Sequence, residues 1–106
     1  MDYETSPLTP EEVTAMPGLL LLDFGTNWCG WCRGARGAVD AAVAAHGGVR
    51  HVRIEDGPGR RLGRRFGVRL WPTLILLRDG VELGRVVRPA DLADVRSLLE
   101  AQGPIA

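Results

Sequence analysis

Lysine is absent from this chain of 106 residues, and all 13 basic residues are arginine. No single site explains that choice, which reads as a bias of base composition. Gly57-Pro58-Gly59 is therefore no phosphate loop, because the Lys-Ser/Thr that would follow it is missing. Cysteine is nearly absent too. The 2 that occur, Cys29 and Cys32, are too few for a disulfide framework and can pair only with each other. Excess charge of either sign is missing, since 13 basic residues balance 13 acidic ones, which argues against a dedicated nucleic-acid binder. No apolar run approaches the roughly 20 residues that cross a bilayer, and Leu19-Leu20-Leu21-Leu22 stops at Asp23. The first 18 residues carry acids and prolines but no base, the wrong character for an export signal. The expectation is a cytoplasmic protein without a membrane anchor. In that compartment a lasting structural disulfide is unusual, and a CxxC pair is catalytic or metal-binding.

The length fits one domain, residues 1–106, with a single core. Residues 1–8 read as loosely ordered, with Asp2–Thr5 offering a short edge strand. Thr9-Pro10-Glu11-Glu12 is a helix start with a capping box, ended by Pro17-Gly18. A buried strand follows over 19–25. A long helix from about Gly30 to His46 has a buried face of Ala35, Val39, Ala42 and Val43, although Gly34 and Gly37 each weaken it by roughly 1 kcal/mol. Arg50–Glu55 alternates, with Val52 and Ile54 on one face. Arg60–Phe66 is a short helical turn closed by Gly67. Strands over 73–77 and 81–87 flank the hairpin signal Asp79-Gly80. Pro89 opens a last helix with an apolar stripe of Leu92, Val95, Leu98 and Leu99, stopped by Gly103 and Pro104. The element order is α-β-α-β-α-β-β-α.

Reactive chemistry is concentrated in Trp28-Cys29-Gly30-Trp31-Cys32, where the buried strand gives way to the long helix. A helix start stabilises a thiolate. A zinc site must be weighed, because Cys29, Cys32, His46 and His51 satisfy a loose finger spacing. Geometry opposes it: Cys32 and His46 at opposite ends of one helix stand roughly 21 Å apart, whereas zinc ligands all lie within about 2.3 Å of the metal. A surface His46 and a His51 in or beside a strand are expected instead, with no metal and no cofactor. Arg60, Arg61, Arg64 and Arg65 sit at helical spacing and read as a solvated face.

From Leu19 to Ala101 the chain resembles the thioredoxin family. The resemblance rests on Asp23-Phe24 ahead of Trp28-Cys29-Gly30-x-Cys32, on Trp71-Pro72-Thr73, and on Gly67 and Asp79-Gly80. It implies an α/β fold, a central mixed sheet of four to five strands with helices on both faces. It implies a dithiol–disulfide oxidoreductase that reduces protein disulfides, with a cis bond before Pro72. It also implies site roles: Cys29 attacks as an exposed thiolate, Cys32 resolves the mixed disulfide, and Asp23 moves the proton of Cys32. The loop at Trp71, Pro72 and Thr73 would hold an extended substrate, with Trp28 and Trp31 beside it.

An acid in an apolar strand should bind its proton more tightly than in water, although an aspartate at a strand end can instead reach solvent. Arg53 aligns with a lysine that often accompanies that acid, but a solvated strand arginine is the expectation. Several positions depart from the family pattern. Trp31 replaces the proline usual between the cysteines, Gly25 stands where an aromatic is common, Gly37 replaces a mid-helix proline, and Arg88 falls where a small groove residue is expected. Packing and partner contact are both open for Trp28 and Trp71, whereas exposure is expected for Trp31. The expected partners are disulfide-containing proteins and a recycling reductase, with the chain a monomer that binds neither nucleic acid nor membrane. Two alternatives remain: a redox-switched adaptor on the same fold, and an oxidase or isomerase in an oxidising compartment. Use of glutathione is disfavoured, because the tyrosine usual between glutaredoxin cysteines is missing.

Overall fold

The computed structural model describes residues 2–5 and 8–101. Four strands form one mixed sheet in the order β2-β1-β3-β4. β1 (Leu19–Gly25) is central, parallel to β2 (Val49–Glu55) and antiparallel to β3 (Thr73–Arg78), and β4 (Val81–Val87) closes the other edge antiparallel to β3. The apolar runs of β1 and β3 are explained by this placement: both strands are covered on both faces, so alternation is not required.

Helices cover the two faces. On one side α2 (Gly30–His46) and α4 (Leu92–Glu100) pack Ala35, Val39, Ala42, Val95, Leu98 and Leu99 against Leu21, Leu74 and Leu76. On the other, α1 (Pro10–Ala15) and α3 (Arg61–Arg65) bring Val13 and Leu62 onto Leu20, Leu22, Phe24, Ile54, Ile75 and Leu77. No described helix is long and apolar enough to cross a membrane.

The local signals act as the sequence suggests. Thr9 caps α1 and Glu12 returns the bond to the Thr9 backbone, completing the capping box. Asp79 and Gly80 turn the β3–β4 hairpin with φ of 50° and 82°. Two expectations are corrected. Pro89 does not open the last helix: the helix begins at Leu92, with Asp91 as the cap accepting the Asp94 N–H at 3.1 Å. Residues 2–5 are not loose, and the edge pairing offered at Asp2–Thr5 is the reading that stands. Glu4 bridges to Ile54 in parallel, and the Glu55 N–H donates to the Glu4 carbonyl at 2.8 Å. The expected stop at Gly103 and Pro104 lies outside the described residues.

Candidate active site

β1 ends at Gly25, and the chain turns through Thr26-Asn27-Trp28 into α2. Cys29 is the N-cap of that helix, and its sulfur accepts the Cys32 N–H at 3.3 Å. A sulfur therefore occupies the anion position at a helix start. Cys32 lies one turn further on. Both cysteines are free thiols. Cys29 is less open than the sequence suggests, at 7% exposure against 2% for Cys32. The β3 entry loop is what covers it: the Cys29 sulfur lies 3.9 Å from the Trp71 carbonyl oxygen, and Trp71 packs on the Cys29–Cys32–Tyr3 cluster.

The Trp71–Pro72 bond is cis. Thr73 is buried and its hydroxyl donates to the Leu70 carbonyl at 2.6 Å, tying the loop across Pro72. The Trp71 indole donates to Asp56 at 2.8 Å and meets the Trp28 ring edge-on at 5.6 Å. Trp28 and Trp31 are 74% and 61% exposed, so they form an apolar rim on either side of the cysteines. Arg88, with φ of 51°, donates from Nε to the Trp71 carbonyl at 2.9 Å and lays its guanidinium over the Trp31 ring at 4.8 Å. The departures at Trp31 and Arg88 thus form one unit, which occupies a backbone acceptor of the proline loop.

Asp23 does not reach water. It is 1% exposed, and three side chains converge on it. Its Oδ1 accepts the Tyr3 hydroxyl at 2.5 Å, while Oδ2 faces His51 Nε2 at 3.0 Å and Arg53 Nε at 3.1 Å. The solvated Arg53 of the sequence reading is therefore wrong: Arg53 is 4% exposed and also pairs with Asp40 of α2 at 2.9 Å. The reason lies in strand parity. Val52 and Ile54 face α1 and α3, so His51 and Arg53 face the opposite side, which α2 covers. The parallel register then sets Arg53 beside Asp23.

Burial, first of all, pushes the Cys32 thiol up to about 12, and the Cys29 sulfur adds to this, while hydrogen bonds from the Thr26 backbone and from Tyr3 pull the other way. Tyr3 is held well above the usual tyrosine range, chiefly by burial and then by the negative charge of Asp23. His51 and Tyr3 were not identified as site residues from sequence. For His51 the signal was its parity with Arg53. For Tyr3 it was the glycine at position 25, where the family pattern holds an aromatic.

The zinc pattern is spread along the fold, with Cys32 in the first turn and His46 at the last residue of a helix of 17 residues. Among the described residues no group of three or more His, Cys, Asp or Glu side chains could hold a metal ion. Arg61, Arg64 and Arg65 are exposed, and Arg60 pairs with Glu55 at 2.9 Å.

Residues 8–101 match the family described as Thioredoxin. A protein named Thioredoxin from Echinococcus granulosus is 32% identical over 83 residues, spanning 78% of this chain and 77% of its own. Another Thioredoxin, from Chlamydia muridarum, is 37% identical over 70 residues, 66% of this chain and 69% of that protein. Among solved structures, thioredoxin 2 from Pseudomonas aeruginosa PAO1 in its reduced form superposes with a TM-score of 0.85 at 40% identity, covering 95% of this chain and 94% of that one.

Proposed function

The chain belongs to the thioredoxin family, and from that membership we propose that it is a dithiol reductant of protein disulfides, with Cys29 as nucleophile, Cys32 as resolving thiol and Asp23 as the buried proton acceptor. That it is a thiol–disulfide oxidoreductase follows from the family. The observation carrying the residue roles is the position of the Cys29 sulfur. It takes an N–H at the start of α2 and at the same time touches the carbonyl next to cis-Pro72.

The chemistry proceeds in two displacements. The Cys29 thiolate attacks a substrate disulfide, forms the mixed disulfide and expels one substrate thiolate. Cys32 then gives up its proton toward Asp23 and attacks the Cys29 sulfur. The mixed disulfide breaks, the second substrate thiolate leaves, and Cys29–Cys32 is left as a disulfide. Two electrons have passed to the substrate. Thioredoxins act on disulfide-bearing proteins and are recycled by reductases, and a reductase would return those two electrons here.

An extended substrate strand fits the loop of Trp71, Pro72 and Thr73, with Trp28 and Trp31 offering apolar contact at the rim. A strand that pairs with the Trp71 carbonyl either shares that oxygen with the Arg88 guanidinium or displaces it. A carboxylate on the substrate would give that guanidinium a new partner, so substrates with an acidic residue near the cysteine are favoured. The chain acts as a monomer, without nucleic acid or membrane, in the reducing cytoplasm. There a pair of thiols stays available for turnover.

The test is reduction of insulin driven by dithiothreitol. Catalytic turnover is expected from the native protein and none from Cys29→Ser. A stoichiometric reaction that stops after one equivalent would instead make the pair a redox switch on a binding module.

A further inference from the structure

We propose that Tyr3 is the proton conduit between Cys32 and Asp23, its phenol lying between the resolving thiol and the carboxylate. This rests on the assignment of Cys32 as the resolving thiol.

The placement is built, not incidental. A Cβ added at Gly25 would stand 2.5 Å from the Cys32 sulfur and 2.8 Å from the Tyr3 ring carbon that bears the hydroxyl. The ring therefore occupies the space that any side chain at position 25 would claim. The Tyr3 hydroxyl donates to Asp23 Oδ1 at 2.5 Å, and Tyr3 packs with Cys32 in one buried cluster. A clamp holds the segment that delivers it. The Tyr3 N–H donates to Asn27 Oδ1 at 2.9 Å, and Asn27 Nδ2 donates back to the Tyr3 carbonyl at 3.0 Å. Asp2 pairs with Arg36 at 3.1 Å, and Glu4 bridges to Ile54. Tyr3 itself is 4% exposed, and it is the 1 tyrosine in the chain.

In the resting dithiol the phenol donates to Asp23, and the Cys32 thiol packs beside it. During resolution the S–H proton moves to the phenol oxygen as the phenol proton moves to Asp23 Oδ1. The Cys32 sulfur keeps the electron pair and attacks Cys29, and the substrate thiolate departs with the electrons of the broken S–S bond. Tyrosine is unchanged at the end, and Asp23 carries one proton. Because burial holds the phenol protonated, it passes a proton on without becoming an anion. His51 and Arg53 from β2 face the same carboxylate, and Asp40 of α2 pairs with Arg53. Cys29 is the remaining titratable neighbour of Cys32.

The reduced protein is mixed rapidly with the chromogenic disulfide DTNB. One coloured thiolate leaves when Cys29 attacks and a second when Cys32 resolves, so both steps are read in one trace. Cys32→Ser should show the first phase only. Tyr3→Phe keeps the ring in its space and removes the hydroxyl. Its second phase should be slowed about tenfold or more near neutral pH, with the deficit narrowing as pH rises and solvent base takes over. A second phase at the native rate, or one slowed by the same factor at every pH, would overturn the proposal, the latter marking a packing role. If the native protein shows no first phase, the nucleophile assignment fails instead. A further measurement needs no variant: the native second phase should slow in heavy water more than the first does, and equal effects on the two would contradict the relay.

Discussion

Asp23 gathers the polar interior of this protein. A carboxylate at 1% exposure is costly unless its charge is compensated, and here Arg53, His51 and Tyr3 all point at it. Removing Arg53, the member that always carries positive charge, should leave the buried carboxylate undercompensated. Arg53→Ala is expected to lower stability by about 3–5 kcal/mol, as breaking a buried pair does, measured by urea unfolding. Arg53→Lys should recover part of the loss by restoring one charge without the planar fork. Legibility differed among these residues. Cys29, Cys32, Asp23 and Pro72 could be read because short motifs mark them. A strand position for Arg53 follows from the alternation of β2, but its burial does not, because the face opposite Val52 and Ile54 reads as solvent until helices are known to cover both sides of the sheet. Tyr3 lies in a segment that offers a short edge strand, but nothing local marks its side chain as part of the site. Its contact with Asp23 spans 20 positions and depends on a strand edge that only the folded sheet supplies.

The elements around the site each make one demand on sequence. The start of α2 requires a side chain that can accept an N–H, and Cys29 does so with the sulfur that also reacts. α3 is short and has no side-chain cap, yet it matters through Gly63. A Cβ there would stand 2.0 Å from Asp56 Oδ1, so the glycine is what lets Asp56 lie against α3 and receive the Trp71 indole. Gly63→Ala should push Asp56 away and cost about 1–3 kcal/mol of stability by overpacking. Disulfide reduction should also slow, because Trp71 loses its anchor beside the cysteines. Urea unfolding with the insulin assay checks both, and unchanged turnover would show that the indole bond does not hold the loop. The strongly periodic helices and apolar strands were legible to within a few residues. The start of α4 was not, because Pro89 is a stronger local signal than Asp91, although it is the Asp91 side chain that accepts the Asp94 N–H in the first turn.

At the scale of the whole molecule, the sheet order β2-β1-β3-β4 puts the C-terminal end of β1 and the start of β3 side by side, because the two strands run antiparallel. That single topological fact brings Cys29 to the loop at Pro72 across more than forty positions. Periodicity alone could not give this order; the family pattern did. Trp31 and Arg88 then decorate the junction in a way that departs from the pattern, and their stacking, like the contact of Trp28 with Trp71, rests on side-chain geometry that motif reading does not reach. The central claim is that two sulfurs exchange two electrons with protein disulfides in the reducing direction. A redox titration of the Cys29–Cys32 couple against dithiothreitol tests it most directly. A single two-electron transition at about −270 mV, the value typical of thioredoxins, is expected. A midpoint at about −120 mV, the poise of a strong oxidant, or no two-electron transition at all, would contradict it.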